Sequence, residues 1–598
     1  MKTGCAEPVP RVRFDDLRDD RGSFALTGLA EELVAYDVDE VAGVVEGAEQ
    51  GARSGLWAAG FVAYEAAPAF DPGLEVVRAD PRLPLAWFGL FADKAEVEVV
   101  SAPAARPVPV WRLGWQPGRY EDEVARIKEL LGAGETYQVN LTVRASGQVD
   151  DPVGVYGSMA RAQAGAYNAY IDTGTHVVMC ASPELFFLRD RDALLTRPMK
   201  GTSRRGRWSG EDATISEALS WSTKDRAEHV MIVDLLRNDL GRISEPGTVV
   251  VRSLADLERY PTVWQLTSTI AARVPQSSSL LDVFGALFPC GSVTGAPKRR
   301  TMQIIASLEE QARGAYCGAV GYVEPGAGRS QFAVAIRTAT VEKATGRAVY
   351  GSGGAITWDS TPASEWSEVV AKCSIVDDRV SVPDLLETLR FDPAVGPVNV
   401  ARHLQRLSQS ADYFGIPFDW SVAETAIWSA CERVAVARRV RVVLDRGGSV
   451  TVELSDLPET ASGPVRLCLA SERVDSHDVT LFHKSADRSR YDALRAAHPD
   501  VDDVVMTNER DELTEATVAN IAVRLDGRWW TPPVGCGLLP GVERQRLIDA
   551  GVLAERVIPL TLLQDVESVA LVNSLRGWRR AVIEGTCPTG AAGPWRCG

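Results

Sequence analysis

Lysine is scarce in this chain, which draws attention to the positions that keep it. Nine of the 64 basic residues are lysines and the other 55 are arginines. A lysine amine can lose its proton and act as a nucleophile, which a guanidinium group cannot do. Lys484 is the only lysine after Lys372. It is therefore a candidate for a covalent link to a carbonyl group, the alternative being a surface lysine without a chemical role.

Two acidic residues, Asp225 and Glu228, lie three apart within residues 222–242. The apolar residues of this segment recur with a helical period, and Ser222 or Thr223 can cap its N-terminus. Both carboxylates should therefore lie on one face of a helix.

A second helix is predicted to begin after Pro362 and to carry Glu365, Glu368 and Lys372 on one face. Carboxylates are preferred ligands of Mg²⁺. Two facing acidic helices could hold this ion. The alternative is that both are solvated charged faces, which are common on helices.

Two glycine-rich segments, 291–298 and 351–354, could bind an anionic substrate through their backbone N–H groups, with Arg337 as a charged partner. The alternative is a pair of tight turns beside a structural arginine. A nucleotide-binding P-loop is not expected, because no Ser or Thr follows Lys298.

The elements that position these residues must belong to more than one folding unit. A chain of 598 residues predicts two to four units. Short β-branched runs alternate with helical patterns up to residue 378, which predicts one large α/β domain over residues 1–378. Both periodicities then lapse, so residues 379–384 are predicted to be a linker and residues 385–598 a second domain.

The composition restricts the class of partner. A net charge of −16 argues against binding to nucleic acid or to an anionic membrane, so small molecules and proteins are the expected partners. The ten cysteines are scattered without a CxxC pair, and no apolar run is long enough to span a membrane. These features predict reduced thiols and a cytoplasmic location.

Eight ordered segments of the first domain resemble the chorismate-utilising enzymes. They are GETYQVNLT (134–142), SPELFF (182–187), PMKGT (198–202), AEHVMIVDLLRNDLGR (227–242), CGSVTGAPK (290–298), GAVGY (318–322), VAIRT (334–338) and GSGGAITWDSTPASEWSEVVAK (351–372). The resemblance implies a chorismate-binding α/β sandwich. It implies that Glu228 and Glu368 bind Mg²⁺, with Asp225 and Glu365 acting through water. The implied chorismate contacts are Arg337, Tyr322, Thr294, Gly295, Gly353, Gly354 and Lys372.

Lys200, in the PMKGT segment, stands where the family distinguishes two reactions. Anthranilate synthases carry Ala there, whereas enzymes that aminate chorismate at C4 commonly carry Lys. A lysine amine can add to C2 as the C4 hydroxyl leaves, after which ammonia enters at C4. Glu184 matches the carboxylate that assists loss of this hydroxyl. Gln265 occupies a position where many relatives have His.

Segments around Lys484 resemble the fold-type IV pyridoxal-phosphate enzymes, which include aminotransferases and aminodeoxychorismate lyase. They are RHLQRL (402–407), LTEATVANIAV (513–523) and TPPVGCGLLPGVERQRL (531–547), while Lys484 itself lies in FHKSADRSRYDALR (482–495). The resemblance implies an α+β domain of two subdomains that binds pyridoxal 5'-phosphate. The implied cofactor contacts are Lys484, Glu515, Arg406, the backbone N–H groups of Val542 and Glu543, and Ser574. Glu543 stands where relatives usually carry Thr.

The two resemblances together predict consecutive reactions that lead from chorismate and ammonia to p-aminobenzoate. No Gly-x-Cys-x-Gly nucleophile turn occurs in the sequence, so a separate glutamine amidotransferase should supply the ammonia. The second domain is expected to form a homodimer. One alternative is an anthranilate- or isochorismate-type enzyme fused to an aminotransferase. Another is that one half is an inactive docking module.

Overall fold

The computed structural model describes residues 11–18, 22–100, 109–376, 383–458 and 463–584. The chain divides into two compact units. The first comprises Met1–Arg205 and Ser216–Val380, and the second comprises Gly206–Ile215 and Ser381–Gly598. The predicted linker, residues 379–384, lies largely outside the described residues. The short inserted piece of the second unit, Gly206–Ile215, was not predicted.

The first unit contains a sheet of 18 strands. Their bounds are β1 Val12–Asp15, β2 Phe24–Ala35, β3 Trp57–Val62, β4 Ala86–Glu96, β5 Arg112–Leu113, β6 Gln138–Gln148, β7 Tyr167–Asp172, β8 His176–Ser182, β9 Leu185–Asp190, β10 Ala193–Arg197, β11 Met199–Arg204, β12 Val250–Arg259, β13 Val263–Arg273, β14 Gly295–Ala296, β15 Ala319–Val323, β16 Arg329–Val334, β17 Thr338–Glu342 and β18 Arg347–Ile356.

Neighbouring strands run antiparallel along the path β6, β18, β17, β8, β7, β1, β2, β4, β3, β15, β16, β9, β10, β13. Both β11 and β12 also pair with β13. The two glycine-rich segments meet the same strand, because β14 and β18 both pair with β6. The sheet therefore gathers segments that are far apart in the sequence.

Nine α-helices are described between residues 38 and 373, and the one at Ser209–Trp221 begins in the inserted piece of the second unit. Their bounds are α1 Val38–Arg53, α2 Ala67–Phe70, α3 Pro117–Gly132, α4 Pro152–Gln163, α5 Ser209–Trp221, α6 Thr223–Gly241, α7 Leu280–Leu287, α8 Lys298–Leu308 and α9 Pro362–Cys373. The predictions for α6 and α9 are confirmed, and Ser222 caps α6 by accepting a hydrogen bond from the Asp225 N–H. None of the described helices has the length and apolar character needed to cross a membrane.

A phenylalanine cluster forms part of the core behind the sheet. Phe284 of α7 is fully buried and packs against Phe187 and Phe332, with ring centroids 5.5 and 5.2 Å away. Edge-to-face rings of this kind combine a large apolar burial with favourable electrostatics. The cluster holds α7 against β9, which begins directly after Glu184, and against β16, which pairs with β9.

The second unit contains two further sheets. The four-stranded sheet has the order β20, β19, β21, β22, and the eight-stranded sheet has the order β25, β24, β23, β30, β29, β26, β27, β28. The bounds are β19 Leu385–Asp392, β20 Gly396–Pro397, β21 Arg438–Leu444, β22 Val450–Asp456, β23 Val465–Val474, β24 Asp503–Asn508, β25 Leu513–Ala516, β26 Ala519–Leu525, β27 Arg528–Thr531, β28 Ala554–Glu555, β29 Ser568–Asn573 and β30 Gly577–Ile583.

Six strands of the larger sheet close into a barrel-like ring, because β25 also pairs with β26. The helices are α10 Val400–Phe414, α11 Trp420–Cys431, α12 Ser489–Ala497 and α13 Val542–Asp549. Helices α10 and α11 pack with the smaller sheet. The predicted α+β organisation in two subdomains is confirmed.

Candidate active sites

Lys200 lies on β11, which faces the acidic helices of the first unit. Its Nζ is 3.8 Å from Glu228 Oε2, and 17% of its side chain is exposed. Burial lowers the pKa of Lys200, while the negative charges of Glu228 and Glu368 oppose this shift. The structure therefore places a partly desolvated amine among carboxylates, where its proton can be lost more easily than from a surface lysine.

His229 holds the backbone of Lys200 in place and was missed by the sequence analysis. Its Nδ1 is 3.1 Å from the Lys200 carbonyl oxygen, and its Nε2 is 2.6 Å from Ser268 Oγ. The ring is fully buried, which lowers its pKa. A neutral ring that donates from Nδ1 to the carbonyl can accept a hydrogen bond from the Ser268 hydroxyl at Nε2. In the sequence, the feature that could have identified His229 was its position directly after Glu228.

The acidic face of α9 meets the glycines of β18. Glu368 pairs with Lys372 at 2.5 Å, and Lys372 also donates to the Gly353 carbonyl at 2.7 Å. A Cβ placed on Gly354 would lie 3.2 Å from Glu365 Oε2 and 3.8 Å from Glu368 Oε1. Glycine at position 354 therefore leaves space directly beside two carboxylates.

The carboxylates of Glu228, Glu365 and Glu368 are suitable ligands for a hard cation, but their oxygen atoms do not all lie within 4.8 Å of one another. Among the described residues, the one group of three whose ligand atoms lie within 4.8 Å of one another is elsewhere: Asp475, His477 and Glu509, on the surface of the second unit. Glu228, Glu365 and Glu368 are therefore farther apart than a bound ion requires. The carboxylate of Asp225 accepts a hydrogen bond from Ser222 at the start of α6.

Glu184 lies beside the strand that carries Lys200. It is 3% exposed and accepts hydrogen bonds from the Met199 N–H and from Ser292. Burial raises its pKa to about 7, although these two donors and Lys200 lower it. One carboxyl oxygen, Oε1, has no hydrogen-bond partner. A carboxyl group in this state can hold a proton near neutral pH and donate it.

The predicted substrate contacts fall into two groups. Arg337 donates to the Lys372 carbonyl at 3.1 Å, so it adjoins the acidic cluster. Thr294 is buried, and its hydroxyl donates to the Cys290 carbonyl at 3.1 Å. Gly295 is required by close packing, because a Cβ there would lie 2.0 Å from the Gln138 carbonyl oxygen.

Tyr322 occupies a different environment from these residues. Its ring packs against Phe14, Phe24 and Trp57, with centroids 4.9, 5.3 and 6.0 Å away. These residues belong to a separate hydrophobic cluster. The structure thus gives Tyr322 a core contact and does not place it against Lys200 or the acidic residues.

Gln265 fastens the segment that follows Lys200. Its amide donates to the Gly201 carbonyl at 3.2 Å, and it accepts a hydrogen bond from the Thr202 hydroxyl at 2.9 Å. A glutamine side chain can donate and accept at once. These contacts support β11 and give Gln265 no acid function.

The second unit contains a cavity of about 800 Å³ lined by Lys484, Glu515, Arg406, Val542 and Ser574. Burial, Arg406 and Arg488 lower the pKa of Lys484 to about 8, although Glu387 and Glu515 raise it. The structure thus brings these predicted cofactor residues together around one lysine.

Arg406 is held by Glu387, which in turn contacts His403, and neither of these two residues was singled out from the sequence. Its Nε and Nη2 donate to the two carboxylate oxygens of Glu387, each at 2.8 Å. His403 Nδ1 also contacts Glu387, at 2.7 Å. Burial opposes ionisation, but Arg406 and His403 hold the pKa of Glu387 well below its usual range. The buried Nε2 of His403 has no hydrogen-bond partner and lines the same cavity.

Glu515 lies on β25, is 5% exposed and lines the cavity. Burial raises its pKa to about 8, although the Leu539 N–H and Lys484 lower it. Asn520 donates to Glu515 Oε2 at 3.2 Å and to the Leu539 carbonyl at 2.9 Å. Asn520 therefore orients a carboxyl group that can share a proton with a basic ring nitrogen.

Helix α13 begins at the cavity with unpaired backbone donors. Its N-cap, Gly541, must be glycine, because a Cβ there would lie 1.9 Å from Asn520 Oδ1. The Glu543 carboxylate pairs with Arg546 at 2.7 Å, so it is held by a neighbour on its own helix. The N-terminus of α13 can therefore accept a phosphate group through the N–H groups of Val542 and Glu543.

Comparison with known proteins agrees with this geometry. Residues 16–377, more than half of the chain, match the family of chorismate binding enzymes. The chain belongs to this family. Residues 384–582 match the amino-transferase class IV family, and a domain of that class implies pyridoxal phosphate.

This chorismate binding enzyme resembles relatives with two different names. It is 37% identical over 297 residues to aminodeoxychorismate synthase component 1 of Klebsiella aerogenes. The matched region covers 49% of this chain and 63% of the relative. It is 36% identical over 276 residues to anthranilate synthase component 1 of Aquifex aeolicus. This matched region covers 46% of this chain and 55% of the relative. The chain thus matches little more than half of the length of these curated relatives.

A solved structure supports the fold of the chorismate binding enzyme. Anthranilate synthase component I from Streptococcus pneumoniae has a TM-score of 0.51 and 23% sequence identity. The match covers 63% of this chain and 94% of that chain. The predicted chorismate-binding architecture is therefore confirmed for the first unit.

Proposed function

We propose that the chain converts chorismate and ammonia into 4-amino-4-deoxychorismate in its first unit, and that its second unit converts this product into 4-aminobenzoate and pyruvate. The observation that carries the proposal is the partly buried Lys200 amine, whose Nζ is 3.8 Å from Glu228 Oε2. The preceding residue, Met199, donates its N–H to the carboxylate of Glu184. Amination at C4 needs a nucleophile at C2 and an acid for the C4 hydroxyl, and this pair supplies both.

In the first reaction, the neutral Lys200 amine forms a bond to C2 of chorismate. Both ring double bonds shift, the C4–O bond breaks, and the hydroxyl leaves as water with the proton of Glu184. Ammonia then forms a bond to C4, both double bonds shift back, and the C2–N bond breaks to release Lys200. The new ammonium group at C4 returns a proton to Glu184. Atoms balance as chorismate plus ammonia giving 4-amino-4-deoxychorismate plus water.

We assign Mg²⁺ binding to Glu228 and Glu368, with Glu365 and Asp225 acting through water. Their carboxylate oxygens suit this hard cation, and the open space beside Gly354 lies next to two of them. The ion would neutralise their charge and orient a substrate carboxylate. Arg337 and Lys372 adjoin the same acidic cluster and supply positive charge for the substrate.

In the second unit, pyridoxal phosphate, when bound, supplies an electron sink that stabilises negative charge at C4 of the substrate. Lys484 would bind the cofactor aldehyde carbon, and its free amine would take the proton from C4 of the substrate. Glu515 would hold a proton for the pyridine nitrogen of the cofactor. Arg406 and the N-terminus of α13 would hold the phosphate, while Ser574 lines the cavity. Loss of the C4 proton and breakage of the C3–O bond would make the ring aromatic, and the enolpyruvyl group would take up a proton and leave as pyruvate.

The ammonia source is proposed to be a separate glutamine amidotransferase. The name of the Klebsiella relative, component 1, supports an enzyme of more than one component. The cytoplasmic location and the homodimer remain predictions from the sequence.

The proposal predicts the product of the full-length chain. Incubation with chorismate, MgCl₂, ammonium chloride and pyridoxal phosphate should yield 4-aminobenzoate and pyruvate in equal amounts, measured by chromatography and mass spectrometry. Omitting pyridoxal phosphate from the purified apoenzyme should leave 4-amino-4-deoxychorismate as the product. Formation of anthranilate would instead support the alternative that the Aquifex relative represents.

The pH dependence of amination should report Glu184. Its carboxyl group is protonated below about pH 7 and loses its proton as the pH rises, so the rate at constant free ammonia should fall above about pH 7. Glu184→Gln should reduce amination by about 10²- to 10⁴-fold and remove this alkaline limb. Glu310→Gln, at a carboxylate 69% exposed, is the control and should retain the parent profile. An unchanged alkaline limb in Glu184→Gln would show that another group titrates.

A further inference from the structure

A short piece of chain within the chorismate-binding match belongs to the second unit. The second unit includes Gly206–Ile215, although the class IV match begins only at residue 384. We call residues 206–212 the anchor segment. Trp208 stacks on Phe482, with ring centroids 5.2 Å apart and planes tilted by 26°. Its ring also packs against a buried cluster formed by Ala470, Val474, Leu481, Val504 and Met506.

Arg207 contacts two further residues of the second unit, His483 and Ser476. Its carbonyl oxygen is 3.1 Å from His483 Nε2, and its guanidinium donates to the Ser476 carbonyl at 2.9 Å. Because a carbonyl oxygen only accepts, His483 must carry a proton on Nε2. Its Nδ1 lies 2.9 Å from Ser410 Oγ. His483 is therefore held between the anchor segment and α10.

The anchor segment is closed by its own hydrogen bonds. The Gly206 N–H donates to Asp212 Oδ1 at 2.7 Å, and a Cβ at position 206 would lie 2.1 Å from the Asp212 nitrogen. Arg207 donates to both carboxylate oxygens of Glu211, at 3.0 and 3.1 Å. These contacts give the segment a defined turn that presents Trp208 and the Arg207 carbonyl together.

We propose that the anchor segment positions Lys484. Phe482 and His483 immediately precede Lys484 and are 1% and 5% exposed. The anchor segment contacts both of them, and the backbone carbonyl of Lys484 accepts a hydrogen bond from the Leu386 N–H at 2.8 Å. Holding the two preceding residues limits the directions in which the lysine side chain can enter the cavity. Trp208 and Arg207 are therefore positioning residues of the second reaction.

The test uses the full-length chain with Trp208→Ala. Amide hydrogen exchange of the peptide covering residues 479–488 should become at least tenfold faster, because Phe482 loses its stacked ring. Trp221→Ala is the matched control, since Trp221 ends α5, the helix that directly follows Trp208, and is 76% exposed. It should leave the exchange of this peptide unchanged. Equal exchange in the parent and Trp208→Ala would overturn the proposal.

A kinetic readout separates positioning from a general loss of stability. With supplied 4-amino-4-deoxychorismate and saturating pyridoxal phosphate, kcat of Trp208→Ala should fall about 10- to 100-fold with KM within about threefold. Amination of chorismate should stay within about twofold in the same preparation. If Trp208→Ala loses both reactions, Trp208→Leu decides the question, because it keeps an apolar contact without the stacked ring. Parent-like exchange and kcat in Trp208→Leu would overturn the proposal.

The kinetic part rests on the proposed lyase reaction, but the exchange measurement does not. If the parent enzyme fails to release pyruvate from 4-amino-4-deoxychorismate, the proposed function is wrong. Faster exchange at 479–488 in Trp208→Ala would still support the anchor in that case. A parent that is active together with an unaffected Trp208→Ala contradicts the anchor alone.

Discussion

Replacing Lys484 with alanine in the full-length chain is expected to abolish formation of 4-aminobenzoate while 4-amino-4-deoxychorismate still accumulates. Lys484 is the amine that lines the cavity with Glu515 and Arg406, and no other lysine occurs after Lys372. The lyase rate should fall by about 10³-fold or more, which corresponds to about 4 kcal/mol in the activation barrier. Pyruvate release and 4-aminobenzoate are measured with supplied 4-amino-4-deoxychorismate.

The attachment of the cofactor gives a second measurement for Lys484. The parent loaded with pyridoxal phosphate should yield, after borohydride treatment and digestion, a modified peptide that contains Lys484. Lys484→Ala should yield none, and Lys484→Arg should behave like it because a guanidinium group keeps its proton. Lys343→Ala, at a lysine 42% exposed, is the control and should retain both the label and the activity. Labelling at another lysine in the parent would contradict the assignment.

Local sequence signals predicted the helices that carry the acidic residues. The apolar period and the cap at Ser222 are properties of neighbouring residues, so α6 could be placed with its start correct. The same holds for α9, which begins at Pro362. Pro fits the first turn of a helix because its missing N–H has no partner there in any case.

Register could not be predicted from the sequence, and Tyr322 illustrates this. Successive residues of a strand point to opposite faces, so the neighbours of Tyr322 depend on how β15 pairs with β3 and β16. In the structure this register puts its ring among Phe14, Phe24 and Trp57. A family motif identifies the strand but does not show which residues from distant segments surround each side chain.

The residues that support the two sites could not be predicted from the sequence either. Glu387 and Arg406 are 19 residues apart and come together only when β19 and α10 pack. Arg207 and Ser476 are 269 residues apart. Ion pairs and hydrogen bonds of this kind have no periodic pattern, so a single sequence offers no signal that joins their members. The sequence could still identify the reactive groups, because the proposed reactions need an amine or a carboxyl group. These residues are Lys200, Glu184, Lys484 and Glu515.

The assignment of Lys200 makes the strongest prediction for the first unit. Lys200→Ala should lower the rate of C4 amination by about 10³-fold or more, again about 4 kcal/mol in the barrier, because the bond to C2 can no longer form. The readout is 4-amino-4-deoxychorismate formed from chorismate, Mg²⁺ and ammonium by the full-length chain. The lyase reaction with supplied 4-amino-4-deoxychorismate should stay within about twofold and shows that the variant is folded.

Two further variants distinguish a nucleophile from a positive charge. Lys200→Arg keeps a cation near Glu228 but cannot form the covalent bond, so it should be as inactive as Lys200→Ala. Lys224→Ala removes a different ammonium group, whose Nζ is 4.0 Å from Glu228 Oε1 and whose side chain is 49% exposed. Because it changes only the charge near the same carboxylate, this variant should stay within about fivefold of the parent, as exposed ion pairs contribute little. Restored C4 amination in Lys200→Arg would assign Lys200 an electrostatic role and remove the covalent step.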